Sequence, residues 1–216
     1  DPPGSLYYPN LAWASASFAF FADLALVSLG GALKRKEKLS GRFADVLSWM
    51  YLATATLRRF EDEEKDDASK EFLAWSMDYA FGQMQEAFDG ILRHLPVPGL
   101  SWLFRGPVRL WSRINPIGTG PSDRQGHKIA QMIQEEGGVR EELTRGMYIP
   151  TDEDDPLAHL DRTLALVEEA APIAKKIRTA RKTGGIEKEP AETLTERAFE
   201  AEIITKDEAD LLSRAE

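Results

Sequence analysis

LAWASASFAFFADLALVSL, residues 11–29, is the stretch on which the fold turns. It is nearly long enough to cross a bilayer, which takes about 20 apolar residues. Asp23 lies inside it, and Ser15, Ser17 and several alanines dilute its hydropathy. A carboxylate at membrane depth costs about 2.5–3.5 kcal/mol on insertion scales. The cheaper solution is a central helix of a helical bundle, buried on most faces, and that is the expectation.

The remaining sequence is read outward from this helix. Asn10 is its expected N-cap, and Gly30-Gly31 ends it or admits a close neighbour. KRKEK follows (residues 34–38), with cations that suit a helix C-terminus. Ser40 is the expected cap of a second helix over residues 41–60. There Phe43, Val46, Leu47, Met50, Tyr51, Leu57 and Phe60 recur at helical spacing. A solvated acidic linker, EDEEKDD, precedes a third helix over residues 67–94, with Phe72, Trp75, Tyr79, Met84, Phe88, Ile91 and Leu92 as its apolar positions.

Three long amphipathic helices with short links make an antiparallel bundle, so the expected class is all-α. Further on, Ser122 caps a helix that Gly137-Gly138 stops. A helix over residues 155–180 carries an acidic start, a basic end, and Pro172 as a kink or break. Two short helices close the chain, each opened by a capping box: Thr193 with Glu196, and Thr205 with Glu208. The expected organisation is one domain. Bundle helices occupy residues 1–95, a connector 96–121, further bundle helices 122–183, and a linker with two short helices 184–216.

Composition excludes several functions. The 216 residues are 43% hydrophobic and 29% charged, with a formal net charge of −9, which opposes phosphate-backbone binding and removes nucleic acid as a partner. There is no cysteine, so no disulfide, thiolate nucleophile or Cys-based metal site can form. His94, His127 and His159 lack ligand spacing. TDEDDP, residues 151–156, lacks the Gly and terminal Glu of a calcium loop. GTGPS, residues 118–122, is neither a P-loop nor a dinucleotide fingerprint, and reads as a plain loop. No carboxylate pair stands out as acid and base. The residues thus nominate no catalytic, cofactor-binding or metal-binding position.

One segment resists the plain reading. PGLSWLFRGPVRLWSRINP, residues 98–116, has three arginines, two tryptophans and no acid within an acidic chain. If residues 100–114 are helical, Arg105, Arg109 and Arg113 fall at i, i+4 and i+8 and form one stripe. Leu103, Leu110, Trp111 and Ile114 gather on another face. Trp and Arg on a short amphipathic segment suit the boundary between water and lipid headgroups. Pro107 is expected to start a second short helix here. The candidate contact residues are Trp102, Leu103, Phe104, Arg105, Arg109, Leu110, Trp111 and Arg113. The competing expectation is a helix packed on the bundle by its Trp face, with its arginines paired to local acids.

LGGALKRKEKLSGRFADVLSWMYLATATLRRFE (residues 29–61), GPSDRQGHKIAQMI (120–133) and AFEAEIITKDEADLLSRAE (198–216) carry a resemblance. In this order they resemble the C-terminal region of bacterial long-chain acyl-CoA dehydrogenases, the flavoenzymes of fatty-acid beta-oxidation. The resemblance implies a helical extension similar to the family's own C-terminal bundle, cut from a longer chain. It places the catalytic glutamate, which takes the alpha proton, and the FAD, which takes the beta hydride, in upstream domains. No catalytic residue or FAD ligand is therefore expected here. The implied partners are those upstream domains, a second subunit in a homodimer, long-chain acyl-CoA for the parent enzyme, and a membrane surface. The implied location is cytoplasmic, peripheral at the inner membrane. From the residues alone, a free-standing helical interaction module is the alternative.

Overall fold

The computed structural model describes residues 3–62, 66–135, 137–148, 150–152, 155–184 and 194–215. Among them the chain is helical, with no strand. A 3₁₀ turn, Pro3–Tyr7, leads into α1, Tyr8–Leu29. A second 3₁₀ stretch, Gly30–Arg35, leads into α2, Glu37–Asp62, and α3 follows as Asp67–His94. Successive helices reverse direction, so the end of α1, the start of α2 and the end of α3 lie at one end of the bundle.

The chain divides into two compact units, residues 1–130 and 131–216. The reason is visible in the apolar residues. One buried cluster draws on Ala14 through Phe104, and a separate one on Ala170 through Leu212.

In the first unit α3 is the central helix. It buries Leu73, Met77, Ala80, Phe81, Met84, Ala87, Phe88, Ile91 and Leu92, a stripe at three- and four-residue spacing along its whole length. Asp66 caps it by accepting from the Ser69 amide at 2.6 Å. Phe72, Trp75 and Tyr79 flank this stripe instead of lying in it. Trp75 stacks on Tyr79, and Trp49 meets Tyr79 edge-on. α2 faces α3 with Leu39, Val46, Ala53 and Phe60, spaced by seven, together with Leu57. Leu47 and Tyr51, expected on that face, are exposed.

Two helix boundaries differ from expectation. α1 starts two residues before Asn10, because Pro9 in its first turn has no amide to leave unpaired. α2 starts at Glu37. Ser40 lies inside it and donates to the Leu33 carbonyl at 3.0 Å instead of capping. The structure also corrects the burial of α1, of which only Ala14, Phe21 and Ala25 are buried. By length and composition the helical stretch Gly4–Arg35 could cross a membrane, yet only 6% of its apolar window is buried within the chain. The composition that suggested a core helix instead leaves an apolar outer face: Trp13, Phe20 and Val27, spaced by seven, with Leu26 beside them.

After α3 come α4, Ser101–Leu103, a π-helical turn, Phe104–Val108, and α5, Arg109–Ile114. GTG then crosses α3 with its backbone in close approach. A Cβ on Gly82 would come within 2.8 Å of the Gly120 nitrogen, and one on Gly118 within 2.5 Å of the Phe81 Cβ. These glycines are required by packing. α6, Asp123–Gln134, opens with the expected Ser122 cap, where the Ser122 amide donates to Gln125 Oε1 at 2.8 Å and the Gln125 amide to Ser122 Oγ at 3.3 Å. Gln125 also donates to Asp78 of α3 at 2.8 Å.

The second unit holds α7, Gly138–Thr144, α8, Pro156–Lys182, α9, Leu194–Glu200, and α10, Lys206–Ala215. Asp155 caps α8 through the Leu157 amide at 2.8 Å. Pro172 lies inside α8 and does not split it into two helices. It is exposed, where water can satisfy the carbonyl that its missing N–H leaves open. The Thr205–Glu208 capping box closes in both directions, at 2.7 and 3.3 Å. Thr193, expected to cap α9, lies outside the described residues.

Met84 is 0% exposed at the centre of α3, so Met84→Ala is expected to cost about 2–5 kcal/mol in urea unfolding. Gly118→Ala forces a methyl into the α3 backbone and is expected to cost about 1–3 kcal/mol by the same measurement.

Candidate functional site

The arginine- and tryptophan-bearing segment is clasped onto α3 by two polar side chains one helical turn apart. Asp89 receives Arg109 through two parallel hydrogen bonds, Nε to Oδ1 at 2.8 Å and Nη2 to Oδ2 at 2.9 Å. Arg113 donates Nε to the same Oδ1 at 3.0 Å. Gln85 donates to Ser112 Oγ at 3.0 Å and accepts the Ile117 amide at 3.0 Å. Ser112 is buried, and its hydroxyl is satisfied by that contact. The forked geometry of a guanidinium on a carboxylate fixes angle as well as distance.

The hydrogen bond from Arg109 is the main reason that the Asp89 carboxyl lies below its ordinary range, with Arg113 adding to it against a desolvation penalty. The same contact pushes Arg109 further up.

The π turn explains why the expected arginine stripe divides. The Arg109 amide bonds back to the Phe104 carbonyl, five residues earlier, so one extra residue sits in that turn. Pro107 is therefore inside a continuous helical path and does not start a new helix. Arg109 and Arg113, on the regular α-helical side, keep i, i+4 register and share Asp89. Arg105 lies across the extra residue and is exposed, without an ion pair among the described residues.

Of the candidate contact residues, Trp102, Leu110 and Trp111 are exposed, with Trp102 at 68%. Leu103 is half-buried. Phe104 is corrected from a surface contact to a core residue. It is 7% exposed, and its ring meets the Phe21 ring edge-on at 6.0 Å. Its position at the start of the π turn aims it into the bundle. Trp111 approaches Trp13 of α1 at 6.3 Å. Phe104 near Phe21 and Trp111 near Trp13 mean that residues 101–114 run antiparallel to α1.

Between them lies an open groove of about 290 Å³, lined among others by Trp13, Phe20, Phe88, Leu92, Val108 and Trp111. Its lining is almost wholly apolar, with only Ser17 and Ser112 contributing hydroxyls. Trp13 and Phe20 belong both to the groove and to the exposed face of α1, and Leu110, Ile114 and Trp102 are exposed on the neighbouring segment. An exposed patch of this kind on a protein surface marks a contact with another molecule or with lipid.

Sequence reading missed Asp89 and Gln85. Their signal is present: they are the polar residues at four-residue spacing beside the apolar stripe of α3. It also missed the continuity of Trp13, Phe20 and Trp111, since that depends on which faces of α1 remain open.

Among the described residues the fold is all-helical, and its first unit exposes apolar side chains beside basic ones. A family model described as acyl-CoA dehydrogenase, C-terminal, bacterial type matches residues 2–216, and the chain belongs to that family. No solved structure matches the chain.

If the Asp89 clasp holds the segment, its contribution is complete above the carboxyl's unfolded value of about 3.9 and is lost as pH falls through the lower folded value. Acid titration of the Trp fluorescence is expected to show this release before global unfolding. Asp89→Asn is expected to abolish that transition and to speed hydrogen exchange of α5 amides at neutral pH.

Proposed function

We propose that this chain is a non-catalytic domain of an FAD-dependent dehydrogenase acting on long-chain acyl-CoA in fatty-acid beta-oxidation. In this reading it packs against the catalytic domains, shapes a homodimer, and brings the enzyme to the cytoplasmic face of the inner membrane as a peripheral protein. The family supplies the oxidoreductase and its acyl-CoA substrate. The observation that carries the membrane reading is the apolar surface of Trp13, Phe20, Trp102, Leu110, Trp111 and Ile114. Long acyl chains partition into lipid, so an enzyme that consumes them gains from residence at a bilayer.

FAD is the cofactor that the family implies for the parent enzyme. A dinucleotide needs donors for its pyrophosphate beside a slot for the flavin ring. The groove offers two serine hydroxyls, and that of Ser112 is already held by Gln85. These residues do not fit FAD, and no chemical step is derived through them.

Anchoring by this surface is modest: each buried methylene-sized group adds about 0.8 kcal/mol. The intact protein is expected to float with phosphatidylcholine–phosphatidylglycerol vesicles. Trp102→Ser with Trp111→Ser is expected to reduce the bound fraction about tenfold or more at limiting lipid. Flotation undiminished in the double variant, or none in the unaltered protein, would remove the membrane reading and leave packing and assembly.

A further inference from the structure

The arginines that first suggest a lipid contact, Arg109 and Arg113, are spent on Asp89. The cations that remain are elsewhere. Where α1 ends, α2 begins and α3 ends, the chain places Lys34, Arg35, Lys36 and Lys38, and beside them Arg93 and Arg105. All six are exposed, and among the described residues none makes an ion pair. Glu37 is the acid within the run.

Two of the six, Arg93 and Arg105, act together on His94. After desolvation, the repulsion of Arg42, Arg93, Arg105 and Arg109 pushes its imidazole below the ordinary range. Arg42 of α2, Arg93 at the end of α3 and Arg105 of the π turn therefore lie near one another, with the carboxylates of Asp45, Glu86 and Asp89 on the side of Arg42 and Arg93.

Exposed apolar side chains adjoin these charges. Val27, in the last turn of α1, is 86% exposed, and Leu26, Leu100 and Trp102 are exposed with it. The antiparallel run of residues 101–114 against α1 brings Trp102 toward the C-terminal half of that helix. Soluble anions would need the charges but not the apolar rim. A bilayer carrying anionic headgroups uses both.

We propose that this basic end of the bundle is the headgroup-binding part of the membrane contact, and that it selects anionic phospholipid. The inference rests on the membrane reading above and adds to it which residues meet the phosphates. The net charge of −9 does not cancel the effect. Acids farther away than the Debye length, about 8–10 Å at physiological salt, are screened, while the basic end lies against the lipid. The acidic remainder is repelled by the same surface, which favours this end facing inward.

The test compares flotation of the intact protein with phosphatidylcholine vesicles and with vesicles that also contain phosphatidylglycerol. The unaltered protein is expected to prefer the anionic vesicles, and to lose that preference in high salt. Lys34→Glu, Lys36→Glu and Lys38→Glu together are expected to weaken anionic-vesicle binding by about a hundredfold or more, at about fivefold for each lysine lost. Their weaker binding to neutral vesicles should persist, since the tryptophans are unchanged. These side chains are solvated, and circular dichroism should show the variant folded. Arg113→Gln, which alters a residue held by Asp89, should leave the preference for anionic vesicles intact.

The proposal is overturned if the triple variant keeps the anionic preference, or if Arg113→Gln removes it. Equal binding of the unaltered protein to both vesicles would also overturn it while leaving the membrane reading in place. Binding to neither would overturn both.

Discussion

Asp89 accepts hydrogen bonds from two guanidinium groups at 2.8–3.0 Å, and the surface of the first unit is organised around that sharing. It holds residues 109–113 against α3, with Gln85 gripping the same segment one turn earlier through Ser112 and Ile117. With that segment in place, Phe104 closes on Phe21 and Trp111 on Trp13. The groove beside α1 exists only because both of its walls are positioned. The clasp also removes Arg109 and Arg113 from any role as free cations.

The π turn at Phe104–Val108 is the second device. A regular helix through residues 100–114 would have kept three arginines on one face and made a uniform basic stripe. One extra residue in the turn separates Arg105 from the pair behind it, while accommodating Pro107 without ending the helical path. The turn thus partitions one basic motif into a structural pair that binds the segment down and a single exposed arginine at the bundle end. π turns often mark functional positions because they re-aim side chains in this way.

α1 shows how composition can suggest the right element and the wrong environment. Asp23 and the diluted hydropathy of its sequence favour burial on most faces over a membrane span, but a three-helix layer offers it partners on one side. Ala14, Phe21 and Ala25 meet the bundle, and Trp13, Phe20 and Val27 do not. The apolar outer face of α1 and the basic end are the exposed features on which the proposed contact rests.

By itself the sequence determined the all-helical class, the extent of α3 and the caps at Ser122 and Thr205, because these depend on local periodicity and side-chain-to-backbone hydrogen bonds. The three family-like blocks were likewise legible without a structure. Tertiary structure alone decided the rest. Which arginines are free depends on Asp89, some twenty residues away in the chain, and which face of α1 is open depends on how many helices surround it. The division into two units depends on apolar clusters that never meet in sequence. Phe104 could not be assigned to the core from periodicity, since a single π turn changes the face on which every residue before it lies relative to those after it.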